Sequence, residues 1–266
     1  MSSKVIILGG RGFLGTALCA EARKRGWETV AVGSADYAER AGAACDLIIN
    51  ANGNSKKYLA DRDPGLDFDL SVRSVSRSLH DFRAGLYVYL STIDVYPNKS
   101  NPACNHEETP IAQDKISAYG FHKYLAEQIV RRNAQAWIIL RLGGFVGAGL
   151  KKNSIYDMLH GQPLRVHPDS RYQYMDCAAM AQIVFQLAES RHFKSIFNVT
   201  GEGTVSLREI ARLIPGAPLA GAPAEAAPEH YEVNISKIKM FAEIPPTRKA
   251  VENYVKGMLA GAEQSP

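Results

Sequence analysis

The chain has 266 residues, 46% apolar and 22% charged, with 31 Lys and Arg against 27 Asp and Glu. So much apolar residue builds a core that offsets the entropy of ordering the chain, which excludes a disordered protein; a net charge of +4 is too small and scattered for a nucleic-acid footprint. No run of about 18 apolar residues exists to span a membrane, so a cytoplasmic protein of one large α/β domain with a small lobe is expected.

A single Lys and a short apolar run precede the first glycines, too little for a signal peptide. That run, residues 5–8, reads as a buried strand, as do 29–32, 47–49, 86–90 and 137–140. Near-continuous apolar character, rather than strict alternation, is what a parallel sheet covered on both faces demands. Residues 14–25, 66–82 and 118–132 carry helical apolar spacing between them, and 33–46 leave room for a loop or a turn of helix. This order predicts a Rossmann-type, doubly wound parallel sheet. Beyond Gly147, residues 151–160 read as a helix, 162–171 as irregular, 180–189 as a helix and 195–199 as a strand. Residues 206–213 form a further helix, with Ser206 as N-cap and Glu209 at capping-box spacing. The Ala- and Pro-rich 217–228 reads as a surface linker. Cys19, Cys45, Cys104 and Cys177 lie far apart without Cys-x-x-Cys spacing; they read as reduced thiols, and no metal site is expected.

Gly9, Gly12 and Gly15 follow the first strand in GxxGxxG spacing, and Phe13 and Leu14 open the next helix. Glycines let the turn tighten and the backbone approach a pyrophosphate, while the helix N-terminus offers free N–H groups and a positive dipole end. The strand–loop–helix context points to a dinucleotide. An NAD site usually ends its second strand with a carboxylate for the ribose 2′-OH. Gly33-Ser34 stand there instead, with Asp36 slightly later, and Arg11 inside the loop suits a 2′-phosphate. NADP(H) is therefore favoured, with NAD(H) as the alternative, and Ser34 joins the loop residues as a cofactor-binding candidate. On this basis residues 1–149 form the nucleotide-binding domain, to which 176–200 return. Residues 150–175 and 201–266 make a small substrate lobe.

Tyr119 and Lys123 stand at i and i+4 on one helix face. A Tyr-x-x-x-Lys spacing is common by chance, so its context carries the argument. Ser91-Thr92 end the fourth strand, and sites in open α/β sheets form at strand C-terminal ends. A Thr92 hydroxyl can bond a substrate oxygen, and Tyr119 can exchange a proton with it once a Lys123 ammonium and a cationic nicotinamide lower its pKa.

The Gly loop, Asn50-Ala51-Asn52-Gly53, Leu90-Ser91-Thr92-Ile93-Asp94-Val95-Tyr96-Pro97, Tyr119 to Lys123 and Leu140 to Gly147 resemble the extended short-chain dehydrogenase/reductase family. The narrower resemblance is to its NAD(P)-dependent sugar epimerase/dehydratase branch. It spans nearly the whole chain, since Phe197-Asn198-Val199 and Asn234 to Lys237 resemble later landmarks. The resemblance implies Thr92 as catalytic hydroxyl, Tyr119 as acid/base and Lys123 as the residue holding the nicotinamide ribose. It also implies Asn50, Ala51 and Asn52 at the cofactor, a sugar or nucleotide-sugar substrate, and a homodimer through helices near 66–82 and 118–132.

Four departures narrow the expectation. Dehydratases of the branch carry two consecutive acids after the Thr; here Ile93 precedes a single Asp94, which makes a dehydratase the least expected member. Gly144 stands where sugar-nucleotide enzymes commonly have Asn. The usual Arg-Asp-Tyr stretch becomes Arg171 to Ala179, so Arg171, Lys151 and Lys152 are the candidates for an anionic substrate. The chain is also short for the branch. His80, His106, His122 and His167 have no partner visible in sequence and read as surface or structural. The reading is an NADP(H)-dependent keto-sugar reductase acting on a substrate that is nucleotide-linked. Alternatives are an NAD-dependent epimerase with retained cofactor, a reductase of apolar substrates, and a non-catalytic dinucleotide-binding sensor or interaction protein.

Overall fold

The structure, a computed structural model, describes residues 3–219 and 226–263. In chain order its first half runs β1 (Lys4–Leu8), α1 (Phe13–Lys24), β2 (Glu28–Val32), α2 (Tyr37–Arg40), β3 (Ala44–Asn50), α3 (Lys57–Arg62), α4 (Pro64–Phe68), α5 (Ser74–Asp81) and β4 (Arg83–Thr92). There follow α6 (Ala118–Asn133), β5 (Trp137–Leu142), β6 (Gly144–Val146), α7 (Ser154–Leu159), β7 (Arg171–Tyr172), β8 (Tyr174–Asp176), α8 (Cys177–Glu189) and β9 (Ser195–Val199). The chain continues through β10 (Val205–Ser206), α9 (Leu207–Ala211), β11 (His230–Tyr231), α10 (Ser236–Lys239) and α11 (Thr247–Glu263).

Six strands form one sheet in the order β2-β1-β3-β4-β5-β9, every neighbouring pair parallel. Alternate side chains feed a core on each face. Val5, Ile7, Leu47, Ile49 and Val88 pack with Leu18 of α1 and Val184 and Phe185 of α8. Ile6, Leu8, Ile48, Tyr89 and Ile139 pack with Val75 of α5 and Ala126 and Val130 of α6. This burial on both sides accounts for the continuous apolar runs, and the expected Rossmann-type sheet is present. Chain order reverses at β1, which has β2 on one side and β3 on the other. A doubly wound sheet places its ligand in the crevice beyond the C-terminal ends of such a strand pair. A third apolar cluster joins Val146, Ile155, Met158, Tyr174, Leu207, Ile210 and Val251, from β6, α7, β8, α9 and α11. Two small ladders lie beside it, β6 with β8 and the three-stranded β10-β7-β11.

The predicted strands are present; β9 has the predicted bounds, and the others extend by one to three residues at one or both ends, β4 reaching Thr92. The expected turn of helix between β2 and β3 is α2. The Ser206–Glu209 capping box forms at α9. The helix α8 begins at Cys177, earlier than expected, because the Asp176 carboxylate caps it by accepting the Ala178 and Ala179 N–H groups. The long helix expected over 66–82 is instead α4, a π-helical stretch Asp69–Arg73, and α5. A wide turn adds a residue without interrupting the helix, so apolar spacing does not register it. The helices α3, α10 and α11 and the short ladders have no counterpart in the sequence reading. Of the linker at 217–228, residues 220–225 lie outside the described residues.

Candidate active site

The first turn of α1 begins at Gly12, an N-cap with no side-chain cap hydrogen bond. Its leading N–H groups are therefore available to an anion. Gly9 donates its N–H to Val32 O at the end of β2, while Ala51 donates to Leu8 O, so the loop sits between β2 and β3. A Cβ added at Gly15 would lie 2.1 Å from the Gly9 carbonyl oxygen. Any side chain there pushes the helix off the loop. Phe13 and Leu14 pack partly against the core and fix the loop from below. These features fit a dinucleotide pyrophosphate.

At the end of β2, Arg11 and Asp36 meet in a bidentate pair, Nη1 to Oδ1 at 2.9 Å and Nη2 to Oδ2 at 2.7 Å. The Gly33 N–H also donates to Asp36 Oδ1, at 2.8 Å. Arg11 and this N–H hold the Asp36 carboxyl down at about 2. Both the cation and the acid that a ribose site uses are therefore present, and each is engaged by the other. Ser34 is exposed beside them. Asn50 is buried: its amide donates to Tyr87 Oη at 2.7 Å and its oxygen accepts the Asn52 N–H at 2.9 Å. Its side chain shapes the Ala51-Asn52 turn from beneath, which leaves the turn's backbone and the exposed Asn52 facing outward.

Thr92, Tyr119 and Lys123 are all buried where β4 ends against α6. Thr92 ends β4 and caps the 3₁₀ turn Ile93–Val95. Ser117 caps α6 by accepting the Gly120 N–H. A Cβ at Gly120 would fall 2.2 Å from Asp94 O. Glycine beside Tyr119 is thus what lets the first turn of α6 close on the end of β4.

Lys123 Nζ donates to Leu90 O at 2.8 Å and lies 4.5 Å from the centroid of the Tyr89 ring. Burial pushes its ammonium down to about 8, against the nearby carboxylates of Glu127 and Asp67. Burial raises Tyr119, Asp94 and Asp67 raise it further, and the Thr92 hydroxyl opposes them. The Lys123 ammonium and a cationic nicotinamide are expected to lower Tyr119; against them, burial and the carboxylates act to keep the phenol protonated.

The Lys123 value carries a pH prediction. Between about 8 and the ordinary 10.5 the unfolded chain holds a proton that the folded chain has lost, so stability rises with pH across that window and is flat below it. A contact that needs the ammonium behaves oppositely. Dinucleotide affinity, followed by fluorescence titration, is expected to fall as pH rises through about 8, and Lys123→Met should bind weakly with no such dependence.

Behind these groups runs a buried polar chain. Arg141 Nη2 and Nε donate to Glu127 at 2.8 and 3.1 Å, and Ser91 Oγ donates to Glu127 Oε1 at 2.6 Å. Arg141 Nη1 donates to Tyr96 Oη at 2.9 Å, and that hydroxyl donates to Asn198 Oδ1 at 2.9 Å. Asn198 Nδ2 reaches the carbonyls of Asn105 and Asn234. Burial alone would lower the Arg141 guanidinium, but Glu127 overrides it and leaves it raised.

Beyond the end of β4, Asp94 accepts from Thr92 Oγ1 at 3.1 Å and from Lys57 Nζ at 2.8 Å, and Lys99 Nζ is 3.6 Å away. Both lysines rest on the Tyr231 ring, 4.8 and 5.0 Å from its centroid. Tyr231 packs near Tyr172, whose hydroxyl donates to Glu229 at 2.7 Å. Lys57, Lys99, Tyr172 and Tyr231 were missed in the sequence, where nothing separates them from surface lysines and core aromatics. Lys152 bridges to Ser55 O and Oγ at 2.7 and 2.8 Å, and neighbouring burial and Lys56 lower its ammonium. Lys151 is exposed beside it.

Arg171 turns the other way. Side chains alternate along β7, so with Tyr172 toward Tyr231, Arg171 points the other way and bonds Thr204 Oγ1, just before β10, at 3.1 Å and Glu209 of α9 at 3.2 Å. Its half-exposed guanidinium pairs with Glu209 rather than joining the Asp94 group. At Gly144 a Cβ would fall 2.7 Å from Tyr174 Cδ1, so the Asn common at that place has no room here. Of the two roles expected for His122, surface or structural, the surface one does not hold: it is buried with Nδ1 2.6 Å from Asp67 Oδ2.

The chain matches the family described as RmlD substrate binding domain over residues 3–231. No curated protein matches it by sequence. Among solved structures it resembles a UDP-galactose 4-epimerase at 19% identity, with 97% of this chain and 99% of that one covered and a TM-score of 0.80. A dTDP-4-dehydrorhamnose reductase from Bacillus anthracis in complex with NADP is similar at 18% identity, covering 97% and 99%, with a TM-score of 0.77. TunA, an NAD-dependent NDP-hexosamine 5,6-dehydratase involved in tunicamycin biosynthesis, is similar at 15% identity, covering 100% and 99%, with a TM-score of 0.80. The fold is shared by enzymes of three reaction types. No helix among the described residues is long and apolar enough to cross a membrane.

Proposed function

The chain belongs to the RmlD substrate binding domain family, and we propose that it is an NADP(H)-dependent reductase of a nucleotide-linked keto-sugar. The observation that carries the reading is the meeting of Thr92, Tyr119 and Lys123 at the end of β4, beside an uncapped glycine-loop helix. The loop from Gly9 to Gly15 would hold the pyrophosphate, Arg11 and Ser34 the adenine ribose, and Ala51, Asn52 and Lys123 the nicotinamide end. When bound, the reduced nicotinamide supplies the hydride that the carbonyl carbon receives.

Thr92 orients the carbonyl oxygen by hydrogen bonding, and Tyr119 gives that oxygen its phenol proton, which leaves a phenolate. The Lys123 ammonium stabilises the phenolate until solvent returns a proton. A phenol held protonated by burial suits this direction. An epimerase would need Tyr119 to begin as a base, the form that burial opposes and a cationic nicotinamide favours. Asp94 is taken up as an acceptor by Thr92 and the lysines, and Ile93 is a core residue, so an elimination has no second carboxyl to draw on.

A nucleotide-linked substrate is supported by Lys56, Lys57, Lys99, Lys151 and Lys152 around the loop after β3 and the Asp94 turn. Residues 1–149 with 176–200 would then be the cofactor unit, supported by the pairing of β9 with β5, and 150–175 with 201–266 the substrate lobe. A homodimer is proposed through the helices near 66–82 and 118–132, where Leu66, Phe68 and Leu70 are exposed. Four unpaired cysteines are consistent with the cytoplasm.

Arg11 decides the cofactor in this reading. Arg11→Ala is expected to weaken NADPH about tenfold while leaving NADH within about twofold, by titration of each. Equal loss for both would remove the 2′-phosphate role. The function as a whole is tested by oxidation of NADPH in the presence of nucleotide-linked keto-sugars.

A further inference from the structure

Asp67 and His122 form a buried pair that the mechanism above does not use. His122 lies three residues from Tyr119 and one from Lys123, on the helix that carries both. Asp67 has no solvent exposure, and besides His122 it accepts from Asn54 Nδ2 at 2.7 Å and Ser71 Oγ at 3.3 Å. A carboxylate only accepts, so His122 Nδ1 donates to it. Asn54 is held in turn: its amide donates to Lys56 O at 2.8 Å and its oxygen accepts the Lys56 N–H at 2.7 Å. Asp67 therefore ties the catalytic helix to the loop between β3 and α3. That loop also crosses Lys123, since a Cβ at Gly53 would lie 3.8 Å from Lys123 Nζ and 4.0 Å from Ser71 Oγ. Ser71 belongs to the π-helical stretch, and wide turns of this kind occur often at functional sites.

We propose that Asp67 and His122 are a positioning pair that clamps the 50–57 loop onto the catalytic helix and so sets the spacing between Lys123 and the nicotinamide end of the cofactor site. The clamp is read from the ligand-free protein; its effect on cofactor rests on the dinucleotide reading given above. A displacement of about 1 Å at such a site costs up to about a hundredfold in function. His122→Ala removes the donor, while His122→Asn returns an N–H near the place of Nδ1.

Two measurements on the full chain test this. The first is hydrogen exchange of the ligand-free protein. His122→Ala should speed exchange in residues 50–57 selectively, and His122→Asn should restore it. The second is affinity for NADPH and for adenosine 2′,5′-bisphosphate, which carries only the adenine half. His122→Ala should weaken NADPH about tenfold and leave the bisphosphate unchanged, with His122→Asn within about threefold of wild type. Exchange that rises uniformly, or equal loss of both ligands, would make the pair merely structural and overturn the proposal. If His122→Ala does not fold, Asp67→Asn, which keeps the size of the side chain, decides by the same two readouts. Wild-type protein that bound neither nucleotide would overturn the cofactor reading, while the exchange result would still decide the clamp.

Discussion

Tyr119→Phe is expected to lower kcat about a thousandfold, within the range that a positioned proton donor contributes. The substitution removes one oxygen and leaves the ring in place, so the burial that holds the side chain is kept. Lys123 bonds Leu90 O rather than Tyr119, and its position is therefore independent of the phenol. NADPH affinity should stay within about twofold of wild type. The split is the informative part. Turnover lost with cofactor affinity kept identifies Tyr119 as the proton donor; unchanged turnover removes it from the mechanism.

The second large effect is on stability. Glu127 and Arg141 are buried together, and breaking such a pair by removing one partner costs about 3–5 kcal/mol, because the other charge is left without compensation. Glu127→Ala should therefore shift the denaturant midpoint strongly, and it also strands the Ser91 hydroxyl. The double variant Glu127→Leu, Arg141→Met removes both charges with similar volume. It is expected to recover most of the loss, measured by equilibrium unfolding. A double variant as unstable as the two single losses combined would show that Tyr96 and Asn198, rather than the charge pair, hold this region.

Local signals carried most of the sheet and the cofactor loop. The strand at 86–90 and the helix at 118–132 announce themselves by period, and Gly9, Gly12 and Gly15 by spacing next to a strand. Partnerships across long separations did not show. Asp67 meets His122 over 55 residues and Lys57 meets Asp94 over 37. In the sequence Lys57 and Lys99 are ordinary lysines, and His122 is a histidine with nothing nearby. The π turn at Asp69–Arg73 was hidden because a single added residue leaves the helix continuous. Arg171 likewise has a distant partner, Glu209, over 38 residues. The bidentate Arg11–Asp36 pair, across 25 residues, is likewise invisible to local spacing.

The central claim is that this chain moves hydride onto a keto-sugar and that Tyr119 completes the step with a proton. Its most direct measurement uses NADPH carrying deuterium at the transferable position and a panel of nucleotide-linked keto-sugars, with the product analysed by mass spectrometry and NMR. Deuterium is expected on the former carbonyl carbon of one sugar, formed by wild type and nearly absent with Tyr119→Phe. A protein that binds NADPH yet leaves every keto-sugar unlabelled, or labels one equally well without the Tyr119 hydroxyl, would contradict it.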